Sequence, residues 1–303
     1  MTELTTTESE NRQIPFKKII ISIFVVIVTI FIAIAVFSNL YPVQSQSITQ
    51  TLQEGFSSKS FWTAAGVGLF AQVVDGALGM AYGVTASTFL LSTGVPPAAA
   101  SASVHIAEVF TTGFSGLSHW KLGNINKALF KRLVIPGVIG AVIGAYLLTN
   151  IDGNVIKPFI SGYLLLMGVY ILIKAFKTIR IKTDPPTYVA PLAVTGGFMD
   201  AIGGGGWGPV VTTSLVGSGQ DPRTTIGSVN AAEFFLAIAG GAAFALFGGF
   251  THWTVIAGLV IGGLFAAPIA AVLCAKLPAR TLMIVVGILI SLLSIYNLYK
   301  ALA

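Results

Sequence analysis

Charge is scarce in this sequence. Only 9% of its residues are Asp, Glu, Lys or Arg, while 54% are hydrophobic and the mean hydropathy is +0.86. Soluble domains carry about 25% charged residues, so the composition excludes an ordinary soluble protein and indicates a chain that crosses a bilayer repeatedly. Cysteine is nearly missing. The single Cys274 excludes an intrachain disulfide and a thiolate-built metal centre, and reads as a small apolar packing residue. No H-E-x-x-H, G-x-S-x-G or P-loop motif occurs, and none of the three histidines sits beside a serine nucleophile. Hydrolytic enzymes and ATP-driven pumps therefore lack their machinery in this chain. No cofactor is implied. The net charge of +6 would suggest a nucleic-acid partner, but the basic residues cluster at the ends of apolar stretches, so they report membrane topology instead.

What the sequence does contain is a duplication. Residues 75–116 and 200–241 align at a constant offset of 125 with no gap, and 13 of 42 positions are identical. The matches include Asp75/Asp200, Gly79/Gly204, Gly83/Gly208, Pro97/Pro222 and Glu108/Glu233. Acids, glycines and a proline in register are not a by-product of an apolar composition. A duplicated membrane segment with buried acids and Gly-rich breaks is the pattern of a repeat-built transporter.

The domain plan follows from the apolar runs. Residues 1–18 read as a disordered cytoplasmic tail, 19–38 as an N-terminal transmembrane helix and 39–60 as an extracytoplasmic linker. Repeat 1 covers 61–178 and repeat 2 covers 188–302. Each half opens with an apolar stretch broken by glycine, followed by three helix-length stretches. Unbroken, 61–92 would be about 48 Å long against a hydrocarbon core of about 30 Å. The break at Asp75–Gly83, and that at Asp200–Gly208, leaves two geometries: a tilted, broken span or a re-entrant hairpin.

Counting positive charges decides between them. With the N-terminus inside and both breaks re-entrant, 14 Lys and Arg residues lie inside and only Lys59, Lys157 and Lys300 outside. Full crossings would place 7 inside and 10 outside. The expected fold is therefore an all-α polytopic membrane protein with seven spans and two hairpins, placed in the cell (inner) membrane with its C-terminus extracytoplasmic. Three crossings per half is odd, so repeat 2 is expected to be inverted and the two glycine tips to meet near the midplane.

At that centre the residue types favour an anion. Glycines 79, 83, 203, 204, 205 and 206 let a ligand approach main-chain N–H groups. The second arm of each hairpin starts at Tyr82 or Trp207, where a helix N-terminus offers N–H donors and a positive dipole end. Hydroxyls at Ser87 and Thr212 follow. The next helix of each half adds Ser101 and His105, or Ser228 and Asn230. Asp75, Glu108, Asp200 and Glu233 are assigned to coupling or gating, with capping and hydrogen-bonded structural roles as the alternatives. No residue is assigned to a metal.

The run Asp200, Gly203-Gly204-Gly205-Gly206-Trp207-Gly208-Pro209, Asp221-Pro222, Ser228-Val229-Asn230 and Glu233-Phe234 resembles the TauE/SafE family of sulfite exporters, also called the four-toluene-sulfonate uptake permeases. The resemblance covers roughly residues 60–300. It implies transport of sulfite, sulfoacetate or other sulfur-containing organic anions, generally outward. The first half departs from the family's glycine run, with Gly79-Met80-Ala81-Tyr82-Gly83. Uptake of a sulfur oxyanion and a proton-coupled cation or metal carrier are the competing readings, and an intramembrane enzyme is a remote one. Partners are then the substrate anion and the lipid bilayer, and the oligomeric state is undetermined.

Overall fold

The computed structural model describes residues 55–303 apart from 79, 177–186, 249–251 and 277–278. The expected tail 1–18, the first helix 19–38 and the linker as far as residue 54 lie outside the described residues, as does Gly79. The described elements are all helical: α1 (Lys59–Leu78), α2 (Tyr82–Ser92), α3 (Pro97–Lys121), α4 (Lys127–Asn150), α5 (Gly153–Lys174) and α6 (Val189–Gly203). A π-helix (Trp207–Thr212) then runs into α7 (Thr213–Gly217), followed by α8 (Pro222–Phe247), α9 (Trp253–Lys276) and α10 (Ala279–Leu302).

Four described stretches are long and apolar enough to cross a membrane: Lys127–Asn150, Gly153–Lys174, Arg223–Phe247 and Met283–Leu302. Their outer faces carry exposed Ile135, Phe159, Leu166, Leu246 and Leu292. Water would not solvate such a surface; lipid does. Exposed Trp62, Trp120 and Trp253 stand at helix ends, where an indole ring suits the headgroup layer. Polar caps set several starts. Asn126 accepts from the N–H groups of Ala128 and Leu129, and Asp152 from that of Asn154. Asp221 accepts from the Thr224 N–H at 2.8 Å, with Pro222 in the first turn. The Thr224 backbone and hydroxyl bonds hold the Asp221 carboxyl below its usual range. That cap therefore persists at neutral pH and fails only as the pH falls through the lowered value.

Both broken stretches double back. After α1 the chain turns through Ala81, whose φ of 88° is left-handed, and α2 returns so that Phe89 meets Phe70 with ring centroids 6.3 Å apart. In the second half the turn is at Gly204 (φ 63°), and the returning π-helix lays Val211 against Gly196. Pro209 lies in the first turn of this helix, where its missing N–H leaves no intrahelical bond unmade.

Small residues dictate how the helices pair. Gly258 and Gly262 of α9 lie against the α1 backbone at Phe61–Ala65 and Ala65–Leu69, so α1 and α9 run side by side in one direction. Gly140 and Gly144 of α4 meet Val194–Phe198 and Phe198–Ala201 in the same way, making α4 and α6 a second parallel pair. Helices α3 and α8 run antiparallel. Gly116 lies on Ala231, and Gly241 on Ile106; His105 meets Gly240, and Asn230 meets Ser115. Adding the offset of 125 to one member and subtracting it from the other turns each pair into its mate. Helices α5 and α10 are also antiparallel, with Gly168 against Ser291 and Gly287 against Leu172. Without side chains at these positions the backbones approach closely, which is how helices associate where lipid removes the hydrophobic drive.

Candidate functional site

The two hairpin tips touch. A Cβ on Gly83 would lie 2.6 Å from the Gly205 Cα and 2.8 Å from both the Gly204 carbonyl oxygen and Glu108 Oε1. A Cβ on Gly205 would strike the Gly83 and Val84 backbone, and Gly208 lies on Met80. Gly205 also has a φ of 154°, outside the range of ordinary side-chain-bearing residues.

Asp200 ends the first arm of tip 2 and caps the second. Its Oδ1 accepts from the N–H groups of Gly206 (2.7 Å) and Trp207 (3.0 Å). Asp75 does the same for the Tyr82 N–H, more weakly, at 3.4 Å. The sequence offered two readings of these helix starts, free N–H donors for a ligand or capping by Asp75 and Asp200. The chain's own acids occupy the donors, because an acid at the end of one arm lies within reach of the start of the next.

The hydroxyls serve the carbonyl side of tip 2. Ser87 Oγ donates to the Gly204 oxygen and Ser101 Oγ to the Ala201 oxygen, both at 2.5 Å. Tyr163 of α5 donates to the Gly205 oxygen at 3.4 Å, and its ring would meet any Cβ on Gly203, its hydroxyl any on Gly206. Sequence reasoning missed Tyr163. The only signal was a polar aromatic after Ser161-Gly162 in an otherwise apolar span. Thr212 is fully buried and its hydroxyl has no protein partner.

Three expected site residues sit elsewhere. Trp207 is buried against Gly137 and Gly196, donating its indole N–H to the Val229 oxygen at 3.1 Å, so it anchors tip 2 to α8. Ser228 Oγ accepts from the Asn126 N–H and donates to the Thr224 oxygen, tying α8 to the start of α4. Asn230 donates to Ser115 Oγ. Tyr82 is buried, with its hydroxyl 3.5 Å from the Leu259 oxygen.

The acids converge. Glu108 is 1% exposed and neither carboxylate oxygen has a hydrogen-bond partner. Asp200 brings a carboxylate oxygen within 4.8 Å of one of its oxygens. His105 is fully buried beneath Phe244, with Nε2 3.5 Å from Asp200 Oδ2. His105, Glu108 and Asp200 each present one atom within 4.8 Å of the others. No lysine or arginine among the described residues accompanies this cluster. Lys174 of α5 donates to the Thr213 oxygen at 3.1 Å, at the far end of the second arm of tip 2.

Lipid-facing apolar helices packed around broken hairpins and buried acids belong to a multi-pass membrane transporter. The family model described as sulfite exporter TauE/SafE matches residues 64–297, and the chain belongs to that family. It is 46% identical over 230 residues to the probable membrane transporter protein YtnM of Bacillus subtilis (strain 168), covering 73% of this chain and 77% of that protein. It is 25% identical over 150 residues to the probable membrane transporter protein ORF9 of a Sinorhizobium species, covering 48% and 56%. No solved structure matches.

Proposed function

We propose that this transporter exports a small sulfur-containing anion, sulfite or an organosulfonate, by alternating access at the junction of the two hairpin tips. The observation that carries this reading is the direct contact of Gly83 with Gly204 and Gly205 in the buried core. An anion enters where the tips part, taking the Ser87 and Ser101 hydroxyls that hold tip 2 carbonyls when the tips are closed. Sulfite itself comes from the family the chain belongs to, and the polar, cation-poor junction suits weak, reversible binding of an oxyanion. The acids at the junction, Glu108 and Asp200 buried and Asp75 and Glu233 half-buried, link transport to the proton gradient.

Purified protein in liposomes should move sulfite outward from a loaded lumen, faster when a pH gradient is imposed. Glu233→Gln keeps the size of the side chain and fixes it neutral. Its sulfite flux should lose the response to the gradient. A wild-type response in that variant would place coupling elsewhere, and no sulfite or organosulfonate flux in wild type would end the anion reading.

The halves form an inverted repeat across the membrane, N-terminus inside. This is supported by the antiparallel pairs α3/α8 and α5/α10, the parallel pairs α1/α9 and α4/α6, and the distribution of positive charge. In a Cys274→Ser background, a cysteine replacing Lys127 should react with an impermeant maleimide only from the cytoplasm. One replacing Asn150 should react only from outside. The opposite pattern would reverse the topology.

A further inference from the structure

A transporter for anions has a problem at its centre: among the described residues, the junction holds carboxylates and no lysine or arginine. Two of these carboxylates face His105, whose chemistry is unusually well defined. Its Nδ1 lies 2.9 Å from the Ser101 carbonyl oxygen, which can only accept, so Nδ1 carries the hydrogen. A ring nitrogen held by a backbone carbonyl in this way turns the lone pair of the other nitrogen outward, as in metal-ligating histidines. Here that nitrogen, Nε2, is buried and has no hydrogen-bond partner.

Both Glu108 oxygens are also buried without a partner. Asp200 Oδ2 stands 3.5 Å from Nε2, longer than the roughly 2.7–2.9 Å of a charge-assisted N–H···O bond. It does match a metal polyhedron. A tetrahedral ion with bonds of about 2.0–2.2 Å sets its ligand atoms about 3.3–3.6 Å apart. The three donor atoms lie within 4.8 Å of one another, close enough to contract onto one ion. His105 and Glu108, three residues apart, share a face of α3, and Asp200 comes from α6 of the other half.

We propose that His105 Nε2, a Glu108 oxygen and Asp200 Oδ2 bind one first-row divalent transition-metal ion, such as Zn²⁺, at the junction of the two tips. One imidazole and two carboxylates suit such an ion better than Na⁺ or Mg²⁺, which favour all-oxygen shells. Three protein ligands leave a fourth position open. The ion neutralises two carboxylates and bridges the two halves. Resting on the anion reading above, it also gives an incoming oxyanion a positive partner in place of like charge.

The test uses the full-length protein, purified without a histidine tag, stripped with EDTA and titrated with Co²⁺. One equivalent should bind, with the visible ligand-field bands of a four-coordinate site. Glu108→Gln and His105→Gln should each weaken binding at least about tenfold, and His119→Gln should not change it. Zinc-loaded wild type needs no variant: its X-ray absorption spectrum should show a nitrogen and oxygen shell with imidazole scattering. Absence of stoichiometric Co²⁺ binding, a sulfur-containing or imidazole-free shell, or undiminished affinity in both ligand variants would overturn the site. Full sulfite flux in stripped protein that still binds Co²⁺ would remove the metal from transport and leave the anion reading intact. Metal binding without flux of any sulfur anion would do the reverse.

Discussion

Gly205→Ala is expected to abolish sulfite transport, while Gly66→Ala leaves it at the wild-type rate. The two positions differ in space and in backbone geometry. A methyl group at Gly205 would run into the backbone of Gly83 and Val84, which cannot rotate away, and its φ of 154° is one that alanine resists. Overpacking costs typically about 1–3 kcal/mol, and the backbone strain adds a term of similar size. About 1.4 kcal/mol already changes a population tenfold. A closed-tip state penalised on both counts should be lost from the cycle, so flux should fall by well over tenfold. Gly66, on α1, has no atom of the described residues within 4 Å of the added carbon. Alanine there gains up to about 1 kcal/mol of helix propensity and meets none of the described residues. Flux in liposomes decides the matter, with monodisperse elution showing that both variants fold. Normal flux in Gly205→Ala would show that the tips need not close.

Asp200→Ala should produce the larger loss of stability of the two tip acids. It strips two buried N–H groups of their acceptor, each worth about 1–3 kcal/mol when left unpaired, whereas Asp75→Ala gives up a single bond of 3.4 Å. Thermal unfolding in detergent should therefore drop further for Asp200→Ala than for Asp75→Ala. Asp200→Asn keeps an acceptor oxygen and should recover most of the loss. Equal midpoints for the two alanine variants would mean that tip 2 does not depend on its cap.

The positions of the breaks were legible because glycine and aspartate recur at one offset, and helicity and membrane residence were legible from long apolar runs. The charge count indicated that the broken stretches turn back, and Phe70 facing Phe89 shows the first one doing so. Other features had no local signature. Glycine at 137, 140, 144, 258 and 262 announces close approach of a backbone but does not name the partner, which lies in the opposite half. The proximity of His105 to Asp200 spans 95 positions of sequence and emerges only when α3 and α6 pack. Trp207 looked like a ligand-facing aromatic because it sits in the glycine run. Its N–H is committed to Val229, a bond that spacing alone cannot reveal. The occupied donors at Tyr82, Gly206 and Trp207 agree with the capping role read for Asp75 and Asp200 from their place at the end of the first arm.

The parallel pairs have a consequence for how such a chain arose. Helix α1 packs its backbone onto α9, and α6 packs onto α4, so each hairpin leans on a helix encoded by the other copy. A half-length chain on its own would leave the glycine face of its fourth helix uncovered and its hairpin without a support. Two such chains, related by a two-fold axis, would complete one another. An unduplicated ancestor is therefore expected to have acted as a pair of identical subunits, whose association a fusion would preserve. The copies were afterwards free to diverge, which is how one came to carry histidine at 105 and the other asparagine at 230.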